Sequence, residues 1–134
     1  MTRFVIDCPS LLQLVRGGHA IDPAHSLVAP NSIRSEVLDL LLQEVRGGEL
    51  TERAALDLHD RMTEVKMRLL GDRVSRRTAW RIAREHDWGT IRIAEYLAIA
   101  KLQADALITA DIELADHARG IVPVVQLADL LATE

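Results

Sequence analysis

Residues 90–114 read TIRIAEYLAIAKLQADALITADIEL, and two different periods meet inside this stretch. Ile93, Tyr96, Leu97 and Ala100 fall at i, i+3, i+4 and i+7, the spacing of a helix with one buried face. The pattern then changes to Ala106, Leu107 and Ile108, a short uninterrupted apolar run of the kind that forms a strand covered on both faces of a parallel sheet. Thr109, Ala110 and Asp111 end that run. A carboxylate therefore stands just past the carboxyl end of a central strand, where open α/β sheets bind their ligands.

The composition is consistent with that reading. A chain of 134 residues buries one core and has no room for two ordinary ones, so residues 1–134 are expected to form a single domain. Apolar residues make up 49% but aromatics only 3%, so the core must be built from Leu, Ile, Val and Ala. The formal net charge of -4 does not advertise a polyanion binder, although it hides any local patch. A single cysteine, Cys8, excludes an internal disulfide and a cysteine-based zinc site and fits a reducing compartment. The opening residues lack a signal-like apolar core, and no apolar run reaches spanning length. A soluble cytoplasmic protein is expected, with no membrane partner.

Taken in order, Phe4, Val5 and Ile6 make a first strand that ends in Asp7. Pro9 suits the first turn of a helix carrying Leu11, Leu12 and Val15, and Gly17-Gly18 stops it. Leu27 and Val28 mark a second strand. Asn31 or Ser32 can cap the next helix, whose stripe is Ile33, Val37, Leu40, Leu41 and Val45, with Glu36 in its second turn at the stripe's edge. Thr51 opens a long helix expected to reach about Leu70 and close at Gly71. A further helix covers about Ser75 to His86. Ile121 to Val125, interrupted by Pro123, reads as an edge strand, and Gln126 to Leu131 as a closing helical turn. Strands alternating with helices predict an α/β fold with a mainly parallel sheet.

Three acids then share one kind of address. Asp7 follows the first strand, Asp111 follows the strand at Ala106 to Ile108, and Glu36 lies on the helix after the second strand. Carboxylates gathered at neighbouring strand ends repel one another, and a hard divalent cation with oxygen ligands is the usual remedy. Such an ion activates water and offsets charge at a phosphodiester. The plain alternative is that Asp7 and Asp111 cap the elements that follow them.

On these residues the chain resembles PIN-domain proteins, and among them the VapC-type toxins of bacterial toxin–antitoxin pairs, which are metal-dependent endoribonucleases. The matching pieces are VIDCPSLLQLV, VAPNSIRSEVLDLL, LLGDRVSRRTAW and AEYLAIAKLQADALITADIELA, in the family's order and over most of the chain. The resemblance implies a three-layer PIN-like fold. It implies Asp7, Glu36 and Asp111 as catalytic acids, Asp7 and Asp111 as ligands of magnesium or manganese, and Thr109 as the small polar residue beside the last acid. It also implies an RNA substrate, a VapB-like antitoxin and a homodimer.

Two positions depart from the family pattern. Two residues before the Glu of AEY the family normally has its third metal-site aspartate, and this chain has Ile93. Glu95 is close in sequence, but residues two apart on a helix differ by about 200° around the axis, so Glu95 replaces the aspartate only if the helix starts late. Ile93 otherwise extends the buried face with Tyr96 and Leu97. Pro9 stands where relatives often have Ser or Thr, with Ser10 adjacent. A protein of this fold that has lost its chemistry and binds an antitoxin or RNA follows directly from Ile93. A phosphoacceptor receiver domain also clusters acids at strand ends, but it needs an acid pair after the first strand and a lysine after the last, and this chain has neither.

Arg73, Arg77, Arg81 and Arg84 recur at spacings of three and four, with Arg76 beside them and Trp80 between. Such a face can neutralise phosphates and stack a base. The ordinary expectation is a solvated face with Trp80 partly buried and the arginines paired with acids. The five histidines form no pair at metal-ligand spacing, and His59, His86 and His117 read as surface residues.

Overall fold

The computed structural model describes residues 2–132. The elements in order are β1 (Thr2–Ile6), α1 (Cys8–Gly17), β2 (His25–Pro30), α2 (Ile33–Arg46), α3 (Glu52–Thr63), β3 (Arg68–Leu70), α4 (Arg73–Glu85), α5 (Arg92–Gln103), β4 (Ala106–Ile108), α6 (Ile112–Ala118), β5 (Val124–Val125) and a short 3₁₀ turn at Leu127–Leu130. The five strands form one all-parallel sheet in the order β3-β2-β1-β4-β5, flanked by six helices. This is the three-layer α/β arrangement that the alternating pattern predicts. Among the described residues, no helix is long and apolar enough to cross a membrane.

β1 is central because both of its faces are covered: Val5 and Ile6 are fully buried, as are Leu107 and Ile108 of β4. α5 packs against β1, β2 and β4 and carries α4 on its other side. That double contact explains why Ala94 and Tyr96 through Ala100 are all buried, rather than a single stripe. Ile93 is half-buried and packs against the core. α1, α2 and α3 pack on one another. Phe4 and Tyr96 are the aromatic members of a core otherwise built from aliphatic side chains and small residues. Deleting a fully enclosed side chain such as Leu97 costs about 2–5 kcal/mol at sites of this kind.

Local signals set several boundaries. Asp7, Thr51 and Asp72 cap α1, α3 and α4 by accepting the backbone N–H of the residue three positions on. α1 stops at Gly18, whose φ of 63° is left-handed. Ser32 precedes α2 but its side chain makes no capping bond, and Glu36 lies in the first turn of that helix, not the second. The expected helix from Thr51 to Leu70 ends at Thr63; Arg68–Leu70 leaves it to become the edge strand β3, paired with Val28 to Pro30 of β2. At the other edge, β5 is shorter than the run from Ile121. The carbonyl of Pro123 there accepts from Leu107 N–H at 2.9 Å, which needs no N–H from the proline.

Candidate functional site

The parallel register of β1 and β4 builds the centre of the site. Ile6 is opposite Ile108, so the next residues, Asp7 and Thr109, emerge side by side at the carboxyl edge. Thr109 Oγ1 donates to Asp7 Oδ2 at 2.5 Å and itself accepts from the backbone N–H of Asp111 at 3.0 Å. Asp7 Oδ1 accepts from Ser10 N–H at 2.9 Å as the cap of α1. The result is a continuous relay from Asp111 N–H through the Thr109 hydroxyl to Asp7, with Asp7 only 3% exposed. Buried hydrogen-bonded chains of this type hold their members in one geometry.

Asp111 faces solvent. Its Oδ1 caps α6, accepting from Glu113 N–H at 2.9 Å and Leu114 N–H at 3.4 Å, while Oδ2 receives no hydrogen bond from the described residues. Both strand-end aspartates are thus caps. Capping leaves lone pairs on a carboxylate unused, so the capping role and a ligand role are compatible.

Glu36 comes from the far side, carried by α2 beyond β2. Its side chain is 11% exposed. Oε2 accepts the Tyr96 hydroxyl at 2.8 Å and the Ser32 hydroxyl at 3.2 Å, and Oε1 lies 3.5 Å from Nε of Arg92. The same corner holds Cys8. Burial pushes the Cys8 thiol up to about 12; the charges of Glu36, Asp7 and Asp39 add to the shift and Arg92 opposes it. Burial also raises the Tyr96 hydroxyl, helped by the charge of Glu36 and the hydrogen bond to it. Three acids against one guanidinium make this corner electronegative.

The charges of Asp7 and Glu36 are thus both felt at Cys8 and Tyr96, Glu36 touches the Tyr96 hydroxyl, and Asp7 is linked through Thr109 to the backbone N–H of Asp111. The structure does not converge all three: among the described residues, no group of three or more His, Cys, Asp or Glu side chains is close enough to hold a metal ion. The donors available at Asp7, Glu36 and Asp111 are hard carboxylate oxygens. They suit magnesium or manganese held by one or two carboxylates with water completing the shell. α5 begins at Arg92, ahead of Ile93, so the helix does not start late and Glu95 lies about 200° around its axis from Ile93.

Sequence reading missed three contributors. Asp39 follows Glu36 at i+3, a spacing that places both acids along one side of α2. Arg92 and the hydroxyl of Tyr96 reach Glu36 across about sixty residues, and no local pattern announces that contact. The histidines are less scattered than their spacing suggests. His86 stacks on Trp88 and His117 meets it edge-on, both with ring centroids 4.6 Å apart, which ties the segment before α5 to α6.

No protein-family model matches this sequence, and no curated protein matches it. Among solved structures, the crystal structure of PAE2754 from Pyrobaculum aerophilum is similar, with a TM-score of 0.75 over 96% of this chain and 91% of that one, at 21% identity. At that identity the likeness concerns the fold.

Proposed function

We propose that this protein is a metal-dependent endoribonuclease of the toxin type from a type II toxin–antitoxin system, hydrolysing RNA phosphodiesters at the carboxyl edge of its sheet. The observation that carries the reading is the Asp111–Thr109–Asp7 relay, with Glu36 held by Tyr96 close enough for its charge and that of Asp7 to be felt at the same Cys8 and Tyr96. Acids on three neighbouring parallel strands or their following elements lie at the edge where such sheets bind ligands. Magnesium or manganese held there supplies an acidified water and offsets charge at the scissile phosphate.

The chain's own residues have definite tasks in this reading. Asp7 is the fixed ligand, since two hydrogen bonds already orient both of its oxygens. Asp111 offers Oδ2 from the solvent side. Glu36, held by Tyr96 and Ser32, keeps one oxygen turned toward Arg92 and supplies the charge that attracts a cation. A VapB-like antitoxin, a homodimer and a cytoplasmic setting belong to the same reading. Exposed Leu38 and Leu42, one turn apart on α2, give an apolar strip that a second chain would cover.

A second reading has its own observation. Ile93 stands where the resemblance expects an acid, and the neighbouring Arg92 already pairs with Glu36, which favours a binding module for an antitoxin or RNA with impaired chemistry. A manganese-dependent RNA cleavage assay on purified protein, with and without chelator, separates the two. Chelator-sensitive cleavage supports the nuclease, and RNA binding without cleavage at any metal concentration supports the module.

A further inference from the structure

α4 presents a face that the proposed chemistry does not use. Its sequence, RVSRRTAWRIARE, buries Ser75, Thr78, Ala79, Ile82 and Ala83 against the core and leaves Arg73, Arg76, Arg77, Arg81 and Arg84 exposed. At about 100° per residue, Arg73, Arg77, Trp80 and Arg84 fall within roughly 60° of arc, with Arg76 and Arg81 on either flank. Among the described residues, none of these five arginines enters an ion pair. Trp80, at their centre, is 66% exposed, not partly buried as its setting in the sequence suggests. Of the acids at the ends of α4, Asp72 caps the helix and its charge reaches Arg76 on the flank, while Glu85 lies about 110° around the axis from the stripe's centre, which leaves the arginines of the stripe in excess.

We infer that this face of α4 is a docking track for single-stranded nucleic acid, with RNA as the polymer. Five unpaired guanidinium groups on a protein whose net charge is -4 are matched by a polyanion. Arginines one helical turn apart are separated by about 6 Å along the axis, comparable with the distance between neighbouring phosphates of an extended strand. A duplex offers its phosphates but keeps its base faces stacked inside. An exposed indole set among phosphate-binding groups is used only when an unpaired base lies on it. An acidic protein surface would satisfy the arginines but would have to bring a separate apolar group to cover Trp80, whereas a single strand carries a phosphate and a base face in every repeat. Only the choice of RNA over DNA rests on the proposed function.

The test is fluorescence anisotropy of the wild-type protein in EDTA with a labelled twelve-nucleotide single-stranded RNA of mixed sequence, titrated at several salt concentrations. Chelation separates docking from cleavage, so binding with no nuclease activity would fail the proposed function alone, and cleavage that survives loss of the track would fail only this inference. Arg77→Gln with Arg81→Gln should weaken binding and lower the salt slope by about 0.7 for each lost phosphate contact. Trp80→Ala should weaken binding by at least about fivefold with the slope unchanged, because stacking releases no counterions. A hairpin duplex of equal length should bind less tightly than the single strand. Arg53→Gln, on α3, serves as an off-face control. The inference is overturned if wild type does not bind, if the α4 variants match the Arg53 control, or if polyglutamate displaces the RNA at equal charge while Trp80→Ala changes nothing. That last result would assign the face to an acidic protein.

Discussion

The guanidinium of Arg92 lies 3.5 Å from one oxygen of Glu36, whose other oxygen accepts the Tyr96 hydroxyl at 2.8 Å. A cation of the chain's own thus sits beside the acid that would help to attract a metal, and it is contributed by the residue next to Ile93. Arg92 is 66% exposed, so water screens the pair and its contribution to folding is small, at most about 1 kcal/mol. Its effect on a second cation entering the same corner is repulsive.

Arg92→Ala should therefore tighten divalent-ion binding while scarcely altering stability. An improvement of about threefold corresponds to the strength of a screened pair of this kind. Isothermal titration with manganese on both proteins, beside a thermal melt, is the check. Equal affinities would mean that Arg92 does not compete for the pocket.

Asp7→Asn and Thr109→Val divide the relay into its two roles. Asn keeps the oxygen that caps α1 but presents an amide to the Thr109 hydroxyl, which already accepts from Asp111 N–H and is left without its acceptor. The cost should be about 1–3 kcal/mol, with cleavage abolished because the ligand charge is gone. Thr109→Val keeps every acid and removes only the hydroxyl that orients Asp7. It should cost a similar amount and reduce cleavage without abolishing it. Chemical denaturation and cleavage at equal folded protein distinguish them; full activity in Asp7→Asn would exclude this site.

The same corner predicts an alkaline limit. Cys8 has its folded value raised from 9.0 to about 12, so its contribution is fully present below pH 9 and is lost as pH rises toward 12, because the unfolded chain ionises first. The loss is about 1.4 kcal/mol per pH unit within that window. Tyr96, also raised, adds a second loss above pH 10. Cys8→Ala should flatten the decline from its onset, and Tyr96→Phe only the later part. A stability curve measured by urea unfolding between pH 8 and about 11 shows whether the two breaks exist.

What could be read from the sequence follows from what was local. β4 was legible because Ala106 to Ile108 is apolar on both faces and ends in polar residues. The acids at the ends of β1 and β4 came with their strands. β3 was not legible: Met62, Val65, Met67, Leu69 and Leu70 keep a helix-compatible rhythm across the end of α3. No glycine or proline marks the break between Thr63 and Arg68, and only pairing with β2 makes the strand. The exposure of Trp80 was also hidden, since the buried side of α4 is set by packing on α5 and is built from small residues that a hydrophobic count passes over. The contacts of Glu36 with Tyr96 and Arg92 depend on how α2 meets α5. That is a tertiary fact.

The position that departs from the pattern expected on the PIN-domain resemblance gives the most discriminating experiment. Ile93 sits on the first turn of α5, beside Arg92 and one turn from Tyr96, so an acid placed there is added to the corner that already holds Asp7 and Glu36. Because Ile93 is half-buried against the core, Ile93→Asp gives up apolar contact and partly desolvates a charge, with an expected cost of about 1–3 kcal/mol in the absence of metal. Arg92 offsets some of that cost by offering the new carboxylate a partner. Saturating manganese should recover more of it, since a ligand that binds only the folded state stabilises that state by mass action. Metal affinity and RNA cleavage should rise together, and the metal-induced increase in melting temperature should be larger in the variant than in wild type. A variant that folds yet shows the wild-type manganese affinity, melting shift and cleavage rate would mean that this corner does not hold a catalytic ion, and would leave the binding module as the reading of the fold.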